Sequence, residues 1–291
     1  MSAPSSPTDR ATPRTGAPTG ERTSTSCPSV DDRSRHSARA RRRSSADAAI
    51  CDAYAATYDE RVFDGISGHY LPMASRLTPV SASLVCNDPR LIDGARQLLG
   101  GPVIPECPEG VLYFAEAGWH DDDGIGVRGV KFAAYFDELT AANGALRLMP
   151  GSHHPDQHAR LAAYRGRRMP VRTDAEAAAY QASFPGHVAA TVPGDVIAFD
   201  LHAWHASSNG RDRLAWTAVY QRCPETEPER DRTLRSMHDS FEQAFRGFDR
   251  NRYPIWRNWL ASADAHPRRA AVIARMRQAG VLDLPGVLEG W

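Results

Sequence analysis

Short apolar segments separated by glycine and proline turns occupy the middle of the chain. They lie at residues 111–114, 130–136, 145–149, 196–199 and 214–221. Apolar segments of this length between turn residues are typical of β-strands that are buried on at least one face. Asn143-Gly144 is a typical turn between two strands, so the segment that follows it is predicted to return beside the preceding strand.

Helical patterns flank this region on both sides. Asp88 and Pro89 are residue types that favour the start of a helix, apolar residues with helical spacing follow, and Gly100 ends the pattern. Further helices are predicted at residues 48–58, 175–182, 235 onward and 267–279. Short strands with helices outside them predict a mainly β fold with flanking helices, of the double-sheet barrel or jelly-roll type.

Residues 1–46 differ from the rest of the chain in composition. They are rich in Ser, Thr, Pro and Arg and nearly lack large apolar residues, so burial cannot offset their ordering entropy, and we predict a disordered tail. Nine arginines against four acidic residues give this tail a charge of +5, and the overall charge of +0 leaves −5 for residues 47–291. The negative charge of residues 47–291 argues against nucleic-acid binding by this part of the chain. We interpret residues 47–291 as a single domain.

Membrane insertion and secretion are not indicated by the sequence. No apolar segment approaches the roughly 20 residues that cross a bilayer, and the N-terminus lacks the apolar core of a secretory signal. The five cysteines are scattered and odd in number, which fits a reducing compartment better than a disulfide framework. These features predict a cytoplasmic protein.

His120 and Asp122 are the first candidates for metal ligands. Residues two apart on a strand share a face, so both side chains can converge on one point. With a second histidine, they would supply two neutral nitrogens and one anionic oxygen, a set that suits Fe(II) and leaves coordination positions open. A second such pair, His154 and Asp156, surrounds a proline after a turn. We interpret that pair as part of a loop.

The missing ligand is expected near a later strand. His202 and His205 both follow the segment 196–199, and the sequence alone does not choose between them because residues three apart face differently on a strand. Farther along, Arg213 opens a predicted strand and can point inward, whereas Arg211 is expected in the preceding turn. A buried arginine is suited to bind a carboxylate with two hydrogen bonds, and the alternative is a surface charge.

Three further charged residues lie near this candidate site. Lys131 is the only lysine in the chain and shares a predicted strand face with Ala133 and Tyr135. Either the site needs the cationic amine of Lys131, which would favour an anionic ligand, or this single lysine is retained by chance and has no function. Asp121 and Asp123 flank the candidate carboxylate ligand. They either favour a cationic, amine-bearing substrate or are solvated loop charges, and we adopt the second interpretation.

Taken in order, these motifs resemble the phytanoyl-CoA dioxygenase (PhyH-like) family over roughly residues 85–222. The motifs are Trp119-His120-x-Asp122, the segment 130–136, Asn143-Gly144-Ala145-Leu146-Arg147, Pro150-Gly151-Ser152-His153, Pro193-Gly194-Asp195, and His205 followed by Arg213. The family consists of Fe(II)- and 2-oxoglutarate-dependent oxygenases with a double-stranded β-helix (jelly-roll, cupin-like) core. The resemblance therefore implies that residues 47–291 form a single catalytic domain.

The resemblance also implies an iron site. His120, Asp122 and His205 would be the iron ligands, and His205 is favoured over His202 because small polar residues and then an arginine follow it. The carboxylate of Asp122 favours hydroxylation over halogenation, since the halogenating relatives lack this ligand.

For the co-substrate, the resemblance implies that Arg213 binds the distal carboxylate of 2-oxoglutarate. The short spacing between the last histidine and Arg213 keeps Arg211 as an alternative, and Lys131 is a third candidate. Ser207 or Tyr113 would add a hydrogen bond.

The function implied by the resemblance is oxidation of a small molecule, with natural-product tailoring in secondary metabolism as one setting. The partners would be dioxygen and a small-molecule substrate, without nucleic acid or membrane. Two other readings of the same three residues are a cupin-like metal-binding or sensory domain without oxygenase turnover and a zinc hydrolase.

Overall fold

The structure, a computed structural model, describes residues in the region from 68 to 284. These are residues 68–72, 79–106, 108–113, 117–122, 126–161, 175–176, 179, 186–207, 210, 212–247, 260 and 266–284. The predicted tail, the helix at 48–58, most of the helix at 175–182, Asp123 and Arg211 lie outside the described residues. The tail and the single-domain interpretation stay predictions.

Two antiparallel sheets build the core. The first sheet has the order β1 (Gly68–Pro72), β3 (Glu109–Tyr113), β10 (Arg213–Arg222), β5 (Gly129–Tyr135) and β8 (Ile197–Asp200), and β2 (Val103–Pro105) also pairs with β10. The second sheet has the order β4 (Ala117–His120), β9 (His205–Ser207), β6 (Leu146–Leu148) and β7 (His187–Ala189). Side chains of both sheets meet in one buried cluster, so the sheets face each other as in a jelly roll. The predicted fold class is confirmed.

The first sheet separates two apolar layers. On β10, Trp216 and Tyr220 belong to the layer under the helices, whereas Ala215 belongs to the cluster between the sheets, as strand alternation requires. Most of the helical residues in the outer layer come from α1 (Pro79–Asn87), α2 (Pro89–Leu99) and α5 (Pro267–Ala279).

The remaining two helices follow β6 and β10 in the chain. The outer face of the second sheet packs as a small cluster that includes Trp119 and Trp204, with Leu161 of helix α3 (Pro155–Leu161) against it. Helix α4 (Glu227–Gly247) follows β10, and its Met237 is buried in the layer over the first sheet. Among the described helices, none combines the length and the apolar character that a membrane crossing requires.

Two local predictions differ from the structure. His120 ends β4 in the second sheet and Asp122 lies two residues beyond it, so the two candidate ligands do not share a strand as their spacing predicts. The segment after Asn143-Gly144 does not return beside β5. It forms β6 between β9 and β7, because the turn, in which Gly144 has a φ of 98°, carries the chain from one sheet to the other.

Candidate metal centre

His120 and His205 are brought together by strand pairing. His120 is the last residue of β4, His205 is the first residue of β9, and the two are directly opposite each other in the antiparallel register. Their ring centroids are 4.2 Å apart. Directly opposed residues on neighbouring strands place their side chains on the same face, which explains why the rings meet.

Backbone carbonyls fix the orientation of both rings. Nδ1 of His120 lies 2.6 Å from the carbonyl oxygen of Gly118, and Nδ1 of His205 lies 2.9 Å from that of Ala203. A carbonyl oxygen only accepts, so each Nδ1 carries the proton and each Nε2 keeps its lone pair. Two imidazoles held in this tautomer are prepared to bind a metal ion through Nε2.

Asp122 completes the group two residues after β4. Its backbone N–H donates to the carbonyl of Leu201 at 3.0 Å, which holds this loop position in place. Its Oδ1 lies 3.8 Å from Nε2 of His120, and its Oδ2 lies 3.6 Å from Nε2 of His205. The three candidate ligand atoms all lie within 4.8 Å of one another, in the one such group that the described part of the chain contains.

The protonation states suit a metal site. Burial lowers the pKa of His205 to about 4, although the neighbouring Asp122 opposes this shift, so the ring is neutral at pH 7. Burial by itself would raise the pKa of Asp122, but the nearby cationic side chain of Lys131 outweighs it, and the pKa lies below its usual value. Two neutral nitrogens and one carboxylate are the ligand set that Fe(II) takes in non-haem oxygenases, so the residues fit this ion.

Lys131 is bound to the same carboxylate. Its Nζ donates to Oδ2 of Asp122 at 3.1 Å. Burial would lower the pKa of Lys131, but the charge of Asp122, followed by those of Tyr113 and Glu109, raises it above its usual value, so the amine is protonated. The amine therefore occupies one oxygen of Asp122, while the predicted contact of Lys131 with 2-oxoglutarate stays a prediction.

Arg213 is buried at the start of β10, as its place in the sequence predicts. Its side chain is 3% exposed, its Nη1 donates to the carbonyl of Gly144 at 2.9 Å, and its guanidinium carbon lies 5.1 Å from the ring centroid of Tyr113. A Cβ at Gly144 would lie 2.6 Å from Cδ of Arg213, and a Cβ at Gly210 would also collide with the same side chain. Two glycines therefore form the cradle that admits this cation between the sheets.

Tyr113 and Ser207 also lie on strands of the core. Tyr113 is directly opposite Arg213 in the register between β3 and β10. Ser207 ends β9, is 2% exposed, and its Oγ accepts a hydrogen bond from the backbone N–H of Ala117 at 3.3 Å. Both residues are placed inside the structure, and their contacts with a co-substrate stay predictions.

The other histidine candidates are directed elsewhere. Nδ1 of His202 lies 3.0 Å from Oδ1 of Asp200, and His202 is not part of the three-residue group. His154 precedes helix α3, and Asp156 is in the first turn of that helix rather than in a loop. The structure therefore separates His205 from His202, which the sequence pattern alone does not do.

Asp121 corrects one interpretation. It is 5% exposed, and its Oδ2 lies 2.7 Å from Nε2 of His158 on α3, so it is not a solvated loop charge. The contact ties the segment between the two candidate ligands to a helix. No spacing rule links positions 121 and 158, so the sequence carried no signal for this contact.

Two glutamates near the site were not identified from the sequence. Glu109 is on β3, and Glu106 precedes this strand. Burial raises the pKa of both carboxyl groups, that of Glu106 to about 7. For Glu109 a signal existed, since it alternates with Val111 and Tyr113 along one strand face.

Comparison with known proteins adds a family. The sequence profile of the family described as phytanoyl-CoA dioxygenase (PhyH) matches residues 45–213, which is more than half of the chain. The L-proline trans-4-hydroxylase of Streptomyces griseoviridis is 37% identical over 78 residues, which cover 23% of this chain and 29% of the hydroxylase. This chain therefore aligns with less than a third of that relative.

Solved structures show a weaker likeness. EctD from S. alaskensis with 2-oxoglutarate and 5-hydroxyectoine is 24% identical, with coverage of 67% of this chain and 69% of EctD and a TM-score of 0.42. AviO1 from Streptomyces viridochromogenes Tue57 is 20% identical, with coverage of 69% and 88% and a TM-score of 0.41. These scores are too low to transfer the role of any residue.

The family assignment depends on the extent of the profile match. The matched region begins before the first described strand and ends at Arg213, so it includes His120, Asp122 and His205. The chain belongs to the phytanoyl-CoA dioxygenase (PhyH) family.

Proposed function

We propose that the protein is an Fe(II)- and 2-oxoglutarate-dependent dioxygenase that oxidises a small molecule, with hydroxylation as the favoured outcome. One observation carries the proposal. The three ligand atoms of His120, Asp122 and His205 lie within 4.8 Å of one another, with both imidazoles oriented by backbone carbonyls. A set of two histidines and one carboxylate leaves coordination positions open for a co-substrate and dioxygen.

Each member of the site has a role in this proposal. His120, Asp122 and His205 hold the metal. Lys131 donates a hydrogen bond to one oxygen of Asp122, so both the metal and the amine orient the carboxylate. Bound Fe(II) supplies the oxidation of a substrate C–H bond at the expense of dioxygen and 2-oxoglutarate, which leaves as succinate and carbon dioxide. The neutral state of His205 at pH 7 means that metal binding does not require displacement of a proton from this ring.

Arg213 is proposed to bind the distal carboxylate of 2-oxoglutarate. Its burial supports this role, because a guanidinium shielded from water binds a carboxylate more strongly than an exposed one. Lys131 and Arg213 both act on the pKa of Tyr135, which burial raises and these two cations lower. The two cations therefore lie near one point of the core, where a dicarboxylate can bind between them. Tyr113 and Ser207 are proposed to add hydrogen bonds.

The substrate class is proposed to be small molecules. The aligned relative is named for the hydroxylation of a single amino acid, L-proline, which supports a small substrate rather than a macromolecule. Membership of the PhyH family fits the same class of reaction. Natural-product tailoring and a cytoplasmic location stay predictions from the sequence.

An anaerobic absorption spectrum tests the proposal. Fe(II) and 2-oxoglutarate added together should produce a visible charge-transfer band in the wild-type protein, because 2-oxoglutarate binds directly to the metal. The band should be absent in His205→Ala, which lacks one of the two nitrogen ligands, and Arg213→Ala should require a much higher 2-oxoglutarate concentration to produce it. Asp156→Ala, which removes the carboxylate of the other His-x-Asp pair, should leave the band unchanged.

The two rival functions give a different result. A zinc hydrolase or a cupin-like binding or sensory domain would bind metal through the same residues without forming a 2-oxoglutarate charge-transfer band. Absence of the band in wild-type protein that binds Fe(II) would therefore exclude the dioxygenase. Substrate-stimulated release of succinate, screened with amine-bearing natural products and acyl thioesters, is the second measurement.

A further inference from the structure

Glu109 presents a carboxylate to the space between the sheets. Along β3, Leu112 packs in the layer under the helices, whereas Tyr113 packs against the cluster between the sheets. Side chains alternate along a strand, so Glu109 and Tyr113 share the inner face. This is the face from which Arg213, directly opposite Tyr113, also extends.

The register places Glu109 on the opposite side of β10 from Lys131. Glu109 is paired with Thr217, Thr217 is paired with Ala133 of β5, and Lys131 lies two positions along the same face of β5. Neighbouring strands are about 4.8 Å apart, so β3 and β5, which have β10 between them, are about 10 Å apart. Two long side chains that extend from positions at this separation reach toward the same space.

The charges around Glu109 agree with this placement. Burial raises the pKa of Glu109, Lys131 lowers it and Asp122 raises it, so its carboxylate interacts electrostatically with both groups. The Lys131 amine nevertheless donates to Asp122, at 3.1 Å. Within the described part of the chain, no side chain forms a hydrogen bond or an ion pair with the Glu109 carboxylate.

In the neighbouring acid, Glu106, both carboxylate oxygens accept hydrogen bonds from side chains. One oxygen of Glu106 accepts from Nε2 of Gln221, and the other accepts from Oγ of Ser240 at 3.2 Å. Glu106 therefore joins β10 to α4 and has a structural role. Among the described residues Glu109 has no such hydrogen-bond partner, and its half-buried carboxylate can accept from a ligand that supplies a donor.

We propose that Glu109 binds a protonated amine of the substrate beside the metal centre. The inference rests on the proposed function, since it names the chemical class of the molecule to be oxidised as a small amine. An ammonium group donates charge-assisted hydrogen bonds to a carboxylate, and these are roughly twice as strong as bonds from a neutral hydroxyl. A carboxylate on the ligand is repelled. Amines are therefore bound in preference to alcohols and acids of the same shape.

Binding of three matched probes to the metal-free, full-length protein tests this site. Cyclohexylamine, cyclohexanol and cyclohexanecarboxylate share one ring and differ in charge, and saturation-transfer NMR at pH 7.5 measures the affinity of each. The wild-type protein should bind the amine about tenfold more tightly than the alcohol, and the acid least. Glu109→Gln should bind the amine and the alcohol equally, while the matched variant Glu106→Gln should keep the preference.

Several outcomes would overturn the assignment. Equal affinity for the amine and the alcohol in the wild type would do so, as would a retained preference in Glu109→Gln or the failure of all three probes to bind. Circular dichroism verifies that both variants are folded.

A paramagnetic metal separates this inference from the proposed function. If the metal centre is where the structure places it, Mn(II) should broaden the resonances of the bound amine, and diamagnetic Zn(II) should not. Binding of the amine without broadening by Mn(II) would count against the metal centre and leave the Glu109 site standing. Broadening of all three probes to equal extents would count against Glu109 and leave the metal centre standing.

Discussion

Gly144 is a single residue on which the proposed co-substrate site depends. Its φ of 98° is in the region that favours glycine, and an added Cβ would lie 2.5 Å from Cα of Gly210 and 2.6 Å from Cδ of Arg213. Gly144→Ala should lose about 1–3 kcal/mol of stability through backbone strain. It should also weaken 2-oxoglutarate binding at least about tenfold, because Arg213 must move. Denaturant unfolding and titration of the charge-transfer band measure the two effects.

Gly194 provides the matched control for this substitution. Its φ is 104°, but nothing lies within 4 Å of an added Cβ. Gly194→Ala should therefore show a similar loss of stability with unchanged affinity for 2-oxoglutarate. If Gly144→Ala binds 2-oxoglutarate as tightly as Gly194→Ala does, Arg213 is not the residue that binds its distal carboxylate.

The ion pair between Lys131 and Asp122 makes a second prediction at the residue scale. Lys131→Met removes the hydrogen-bonded cation and leaves a partly buried carboxylate, so the metal-free protein should lose about 1–3 kcal/mol. A divalent metal compensates the same carboxylate. Zn(II) or Mn(II) should therefore stabilise Lys131→Met more than it stabilises the wild type, as measured by thermal unfolding with and without metal.

The stability lost in Lys131→Met should depend on pH. The pKa of Asp122 is depressed in the folded protein, so its stabilisation is present above the ordinary pKa of an aspartate, about 3.9, and is lost as the pH falls through the folded value. The difference between Lys131→Met and the wild type should be largest near pH 7 and shrink below about pH 4. Lys131→Arg keeps the positive charge and should not show this pH-dependent difference in stability. If the difference between Lys131→Met and the wild type is constant with pH, the loss comes from packing instead of from the ion pair.

At the scale of elements, local signals predicted helices and strands better than they predicted sheet membership. Asp88, Pro89 and Gly100 gave the limits of α2, because capping is decided within a few residues. The strand signals found β5, β8 and β10, with ends that differ by one or two residues. The signals did not show that β4 and β6 belong to the second sheet, because that depends on pairing between residues far apart in the sequence.

The candidate site shows the same division. His120 and Asp122 were found as a pair, but the strand spacing behind that prediction does not hold, since Asp122 lies beyond β4 and is placed by its hydrogen bond to Leu201. Arg213 was found from its place at the start of a strand. The choice of His205 over His202 required the family resemblance, since only the pairing of β4 with β9 distinguishes them physically. Asp121 escaped prediction because its partner, His158, is on a separate helix.

The N-terminal cap of α2 gives a prediction that belongs to this scale. Oδ1 of Asp88 accepts from the backbone N–H of Arg90 at 2.9 Å, and its carboxylate also pairs with the Arg90 side chain. Asp88→Ala should lower the free energy of unfolding by about 1 kcal/mol, since an N–H of the first turn loses its acceptor. Asp93→Ala removes an exposed acid within the same helix and should cost less, by urea unfolding. Equal losses would mean that surface charge, not capping, explains the effect.

At the scale of the whole molecule, charged side chains are grouped near the metal centre, inside the jelly roll. Lys131, Asp122 and Glu109 affect one another's pKa there, and Glu106 continues the series toward α4 through Ser240. Among the described residues, only part of this set has hydrogen-bond partners. The proposed metal and a substrate amine would supply the missing partners, which links the stability of the fold to occupation of its site.

Glu106 is the member of this series that should control how stability depends on pH. Burial raises its pKa to about 7, whereas in an unfolded chain a glutamate ionises near 4.3. Between these values the folded protein holds a proton that the unfolded chain has released, so stability falls as the pH rises through this window. The shift corresponds to at most about 4 kcal/mol of stability, and this contribution is fully lost above about pH 7.

Glu106→Gln isolates this effect, because an amide cannot ionise. Its oxygen still accepts from Gln221, and its N–H group can donate to the Ser240 oxygen, so the link between β10 and α4 is kept. The variant should be more stable than the wild type at pH 8.5, and the difference should disappear by about pH 5, as measured by urea unfolding at a series of pH values. A variant less stable than the wild type at pH 8.5 would mean that the ionised carboxylate is itself the stabilising form. The inner face would then hold a fixed negative charge at Glu106.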